Sequence, residues 1–86
     1  MTQVAYKATF VRQLDKLELY VQTEVLEKIE QFKDSANHRQ LKVHKLHGQL
    51  KDFYSFSVNY RLRIIFEYLS KNEVVLLAVG DHEVYR

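Results

Sequence analysis

The chain has 86 residues, 47% hydrophobic and 13% aromatic, with two glycines, no proline and no cysteine. That length supports one core, so residues 1–86 are read as a single domain whose chemistry comes from one surface or cleft. The missing cysteines exclude disulfides, thiolate metal sites and a Cys nucleophile, and a net charge of +2 leaves any attraction to polyanions to local patches.

In chain order, Gln3 to Thr9 is short and tolerant of extended structure and reads as an opening strand. Phe10, Leu14, Leu17, Val21, Val25, Ile29 and Phe32 follow at spacings of three and four, an apolar stripe on helical period with acids on the opposite face. No glycine or proline interrupts residues 10–34, so one long helix and a hairpin broken near Tyr20 to Thr23 both fit. Asp34-Ser35-Ala36-Asn37 has side chains that compete for backbone hydrogen bonds and should end the helical region.

Four strands are then expected: Leu41 to Leu46, Phe53 to Asn59, Tyr60 to Leu69 and Glu73 to Val79, separated by Gly48, by the strand junction at 59–60 and by Ser70-Lys71-Asn72. In the third, Tyr60, Leu62, Ile64, Phe66 and Tyr68 alternate with Arg61, Arg63, Ile65 and Glu67, giving an apolar face and a face with two arginines. The unbroken run Val74 to Val79 reads as a central strand buried on both faces. The fold class is therefore α+β, with a strand, a helical layer and an antiparallel meander, and one sheet face left for function. No apolar run is long enough to span a bilayer and the first residues lack a signal core, so neither export nor membrane insertion is expected.

The charge is polarised. Residues 37–63 carry Arg39, Lys42, Lys45, Lys51, Arg61 and Arg63 against Asp52, a net +5, whereas residues 13–34 carry six acids against three lysines, a net −3. The basic block suits either the phosphates of a nucleic acid or an acidic protein partner.

Arg61 and Arg63, two apart on an expected strand, would present two permanent cations to one anion, or else pair with surface acids such as Glu67. His82 follows the last strand beside Gly80 and near Tyr85, and a histidine exchanges protons near neutrality. His44 and His47 have a spacing seen among metal ligands on helices, but without cysteine or clustered carboxylates a zinc site is not expected. Tyr6, Tyr20 and Tyr68 read as core or interface aromatics. Walker, dinucleotide and Gly-x-Ser-x-Gly patterns are absent.

Three strings carry a family resemblance: His44-Lys45-Leu46-His47-Gly48, Asn59-Tyr60-Arg61-Leu62, and Gly80-Asp81-His82-Glu83-Val84-Tyr85. In order and spacing they resemble the RelE/ParE superfamily of toxins from bacterial type II toxin–antitoxin modules. The resemblance implies the RelE-like microbial RNase fold: an N-terminal strand, a helical hairpin and a four-stranded antiparallel meander. It implies a cytoplasmic, ribosome-dependent endoribonuclease that cuts translated mRNA in the A site, needs no metal or small-molecule cofactor, and is neutralised by a cognate antitoxin protein.

Carried over by motif, Arg61 corresponds to the arginine that stabilises charge on the scissile phosphate, and His82 to an acid/base or charge-stabilising position. Tyr85 corresponds to the C-terminal aromatic that orients the substrate, and His44 to the histidine before Leu-x-Gly in YafQ- and YoeB-like members. Lys42, Lys45, Lys51 and Arg63 would then hold mRNA or ribosomal RNA through backbone phosphates. Two lysines that the RelE branch uses are replaced by Ser55 and Ser57, so the chain is more similar to the histidine-using branch. ParE members share the fold but inhibit DNA gyrase, so a ParE-like inhibitor and a catalytically inactive binding protein are the alternatives.

Overall fold

A computed structural model describes residues 1–81. The elements run β1 (Gln3–Tyr6), α1 (Ala8–Asp15), α2 (Leu19–Phe32), β2 (His44–Lys45), β3 (Tyr54–Ser57), β4 (Arg63–Ser70) and β5 (Glu73–Gly80), with 3₁₀ turns at Ser35–Asn37 and Gly48–Leu50. They form a mixed α+β fold with a five-stranded sheet in the order β1-β5-β4-β3-β2. The last four strands are the expected antiparallel meander, and β1 adds to β5 in parallel.

The helical region is a hairpin, broken at Lys16–Glu18 and so a few residues earlier than Tyr20 to Thr23. The break needs neither glycine nor proline, because a side chain closes it. Gln22 Nε2 donates to the Leu17 carbonyl at 2.9 Å and more weakly to that of Asp15 at 3.4 Å, satisfying carbonyls that the end of α1 leaves open. Glu18 is in extended backbone before α2 restarts. At the other end of α2, Asn37 Nδ2 donates to the Gln31 carbonyl and His38 Nε2 to that of Phe32, both at 2.8 Å. Asp34 accepts from the Ala36 N–H at 2.9 Å, so the Asp-Ser-Ala-Asn segment ends the helix as its composition predicts.

The strands are shorter than their hydrophobic patterns. The opening strand stops at Tyr6 rather than Thr9, because α1 begins at Ala8. The expected strand Leu41 to Leu46 survives only as His44–Lys45. Before it the Val43 N–H turns back to the His38 carbonyl, and Lys42 takes the left-handed backbone with φ 59°. Phe53 to Asn59 reduces to Tyr54–Ser57, and Tyr60 to Leu69 becomes Arg63–Ser70, because residues 58–62 form a turn closed by the Val58 N–H on the Leu62 carbonyl. Gly48 has φ 68°, and nothing lies near the Cβ it lacks, so backbone conformation alone calls for glycine there.

Both helices cover one sheet face. Phe10, Val25, Ile29 and Phe32 meet Phe56, Ile64, Phe66, Val74, Leu76 and Val79 in the main core. The Phe32 ring is stacked on Phe56 at 4.4 Å and on His38 at 4.7 Å, and it meets Phe66 edge-on. The run 74–79 is interior to the sheet but fully buried on one face only. Val74, Leu76 and Val79 are buried, whereas Val75, Leu77 and Ala78 are half-buried. A bulge explains the irregular alternation: Ile65 pairs with Ala78 and Phe66 with Leu76, so Leu77 is the extra residue.

The face away from the main core is built in rows. His44, Ser55, Ile65 and Ala78 align across β2, β3, β4 and β5, and Ser57, Arg63 and Gly80 form the adjacent row. Among the described residues no helix is long and apolar enough to cross a membrane.

Candidate active site and anion-binding clefts

Arg61 sits in the β3–β4 turn, not on a strand. Asn59 builds that turn. Its Oδ1 accepts from the N–H groups of both Arg61 and Leu62 at 2.8 Å, and its Nδ2 donates to Glu24 Oε1 of α2 at 2.8 Å. The turn is thereby fixed to the helical layer, and the Arg61 guanidinium is exposed, with no hydrogen-bond or ion-pair partner among the described residues.

Arg61 and Arg63 therefore do not form the side-by-side pair that strand alternation predicts. Arg63 opens β4, and its Nη1 donates to the carbonyls of Asn59 at 2.8 Å and Leu62 at 3.2 Å, bracing the turn from below. The predicted salt bridge of either arginine to Glu67 does not form either.

His44 has an assigned proton. Its Nδ1 lies 2.9 Å from the Lys42 carbonyl, and a carbonyl only accepts, so Nδ1 carries the hydrogen. In the neutral ring the lone pair is then on Nε2, which faces the Ser55 hydroxyl at 3.4 Å. Lys42 presents that carbonyl from its left-handed backbone. Ser55 is 0% exposed, so it is a closed position.

Two clefts flank the β3–β4 turn. The larger, about 550 Å³, runs between the α1–α2 corner and the turn and is lined by Lys16, Tyr20, Glu24, Tyr60 and Arg61 among others. The smaller, about 320 Å³, brings Lys28, Lys42, Ser57 and Arg63 together and shares Asn59 and Tyr60 with the first. Tyr60, placed by alternation on the apolar face of a strand, is 88% exposed and forms a wall of both. The sequence signal for this was Asn59, whose side chain stops β3 and lifts the next two residues out of the sheet.

Of the expected RNA contacts, Lys42 and Arg63 meet in the smaller cleft, while Lys45 lies on the edge strand β2 and Lys51 closes the 48–50 turn. His38, outside the earlier candidates, caps α2 and stacks in the core. His47 is exposed, and among the described residues no three His, Cys, Asp or Glu side chains converge as a metal site would need. His82 and Tyr85 lie outside the described residues. The row containing Arg63 and Gly80 nevertheless puts the end of β5 at the same sheet end as the Arg61 turn.

Comparison with known proteins bears on this arrangement. The family model for the RelE-like toxin of the type II toxin–antitoxin system HigB matches residues 7–82. The chain belongs to this HigB-like toxin family. No curated protein matches it. Among solved structures, a conserved hypothetical protein from Helicobacter pylori is 22% identical, with 96% of this chain and 97% of that one covered and a TM-score of 0.73. The RelBE2 toxin–antitoxin complex of Mycobacterium tuberculosis is similar at 20% identity, 94% and 98% coverage and a TM-score of 0.75. A YoeB–YefM complex from Staphylococcus aureus is similar at 13% identity, 95% and 98% coverage and a TM-score of 0.72. At such identities the likeness is one of fold, and it matches the RelE-like architecture expected of this HigB-like toxin.

Proposed function

We propose that this HigB-like toxin is a ribosome-dependent endoribonuclease that cuts translated mRNA in the A site. The observation that carries the reading is Arg61, an exposed guanidinium without a partner among the described residues, on a turn held rigid by Asn59. A cation fixed in advance stabilises charge developing on a phosphate without reorganising during reaction, and loss of one such group costs about 10² to 10³ in rate.

In the proposed reaction the ribose 2′-hydroxyl gives its proton to His44 Nε2 and its oxygen attacks the adjacent phosphorus. The bond from phosphorus to the 5′-oxygen breaks, and the 5′-oxygen takes a proton from an acid, the role proposed for His82. The products are a 2′,3′-cyclic phosphate and a 5′-hydroxyl. His44 suits the base role because the Lys42 carbonyl holds the hydrogen on Nδ1 and puts the lone pair on Nε2, whose long 3.4 Å contact with Ser55 Oγ would give way to the 2′-hydroxyl. In sheet order the Arg61 turn lies between the strand of His44 and the end of β5, which suits a phosphate flanked by base and acid. Tyr85 is proposed to orient the substrate, and Lys42, Lys45, Lys51 and Arg63 to hold RNA phosphates. The M. tuberculosis and S. aureus relatives are complexes with antitoxins, and a cognate antitoxin is proposed as the protein partner here, in the cytoplasm.

The test is induced expression without antitoxin, with mRNA 5′ ends mapped on translated messages. Wild type should arrest growth and create in-frame cleavage ends within coding sequences. Arg61→Ala and His44→Ala should abolish both at equal soluble yield, as should His82→Ala. Arrest with intact mRNA would replace this reading by a gyrase-directed one. The serines at positions 55 and 57 favour a second reading, an inactive binding protein, and harmless expression of soluble wild type would establish it.

A further inference from the structure

The smaller cleft gathers cations that are distant in sequence and opposed in context. Lys28 comes from the acidic helical segment, Lys42 from the left-handed turn before β2, and Arg63 from the start of β4. Among the described residues no carboxylate lines the cleft. Glu24, one helical turn before Lys28 and the natural partner for it, is instead engaged by Asn59 Nδ2 at 2.8 Å. Among the described residues the ammonium groups of Lys28 and Lys42 have no ion-pair partner, and Arg63 uses Nη1 on backbone carbonyls, keeping its other N–H groups for a ligand. Ser57 adds a hydroxyl.

We propose that this cleft, built by Lys28, Lys42, Ser57 and Arg63, binds one phosphate group of an RNA strand beside the nucleotide held at Arg61. Three converging cations suit an anion carried by several oxygens. The order of features across the two clefts also fits RNA: cations, then the exposed Tyr60 ring shared by both walls, then Arg61. A nucleic-acid strand alternates phosphates with flat bases that stack on aromatic rings. An acidic peptide matches the charges but does not alternate anions with flat rings at every unit of its backbone, as a nucleic-acid strand does. The proposal rests on the nuclease reading for its orientation and adds Lys28 and Ser57 to it.

The test uses the purified full chain and an uncleavable 2′-O-methyl RNA oligonucleotide, with affinity read by fluorescence anisotropy from 50 to 300 mM KCl, on the order of the range over which phosphate contacts respond to salt. Lys28→Gln and Lys42→Gly each remove one cation, and glycine at 42 keeps the left-handed backbone. Each should lower the slope of log affinity against log salt by about 0.7 and weaken binding about five-fold near 0.1 M salt. Lys71→Gln, outside the cleft, should change neither. Slopes equal to that of Lys71→Gln would overturn the proposal. So would loss of binding to a poly-glutamate peptide in the two variants with RNA binding intact, which would assign the cleft to a protein partner. Because nothing is cut in this assay, loss of mRNA cleavage in cells with the salt slopes as expected would remove the nuclease reading and leave the phosphate site.

Discussion

The His44 ring shows how little sequence is needed to set a proton's location once the backbone is in place. A left-handed Lys42 aims its carbonyl at Nδ1, and the opposite nitrogen is left to accept. Ser55 is a different matter. A lysine at this fully buried position would leave an ammonium without water or a counter-charge, whereas Ser57 opens onto the smaller cleft. Ser55→Lys should therefore cost about 3–5 kcal/mol, comparable to an uncompensated buried charge, and lower Tm by more than about 10 °C. Ser57→Lys should stay within about 1 kcal/mol of wild type and tighten binding to RNA. Thermal melts of both variants check the contrast, and equal losses would show that burial is not what separates the two serines.

Among the elements, the β3–β4 turn depends on Asn59 and the helical hairpin on Gln22. Asn59→Ala removes the acceptor for two backbone N–H groups and the tie to Glu24, at a cost of about 2 kcal/mol. Asn59→Asp keeps the acceptor but sets a second carboxylate against Glu24, so urea denaturation should show it recovering stability over alanine only when Glu24→Gln removes that repulsion. The alanine variant should also lose arrest activity through a loosened Arg61, and retained activity would show that the turn is held by its other contacts. These two residues explain where periodicity misjudged the boundaries. The apolar stripe from Phe10 to Phe32 correctly gave helix, but a helix can be interrupted by a side chain that satisfies its last carbonyls, and no hydropathy pattern records that. Likewise Tyr60 and Arg61 keep perfect strand alternation while Asn59 holds them in a turn.

At the scale of the molecule, two groups among the described residues tie stability to alkaline pH. Partial burial, with Tyr54 nearby, holds the Tyr68 phenol above its ordinary 10.0, and the 2.6 Å bond to Glu30 holds Lys33 above 10.5. Both keep their protons in the folded state at pH values where the unfolded chain releases them. Their contribution is complete below those ordinary values and is lost as pH rises through the folded ones. Tm should therefore decline above about pH 10, and Tyr68→Phe should flatten the decline without changing Tm near neutrality. An unchanged alkaline limb in that variant would leave Lys33 and the remaining titrating groups to account for it.

Local chemistry and period determined the element types and their order, because a stripe at three and four or an alternation at two already states which face must leave water. The family strings, rather than period, singled out Arg61 and His44 as expected site residues. Chain folding alone decided that Lys28 leaves its acidic segment to join Lys42 and Arg63, that Ser55 is closed and Ser57 open, and that Arg63 braces the turn while Arg61 is exposed on it. These are relations between residues on different elements, and they exist only when helix, turn and sheet are packed, since a side chain's partner and exposure are properties of what surrounds it in space.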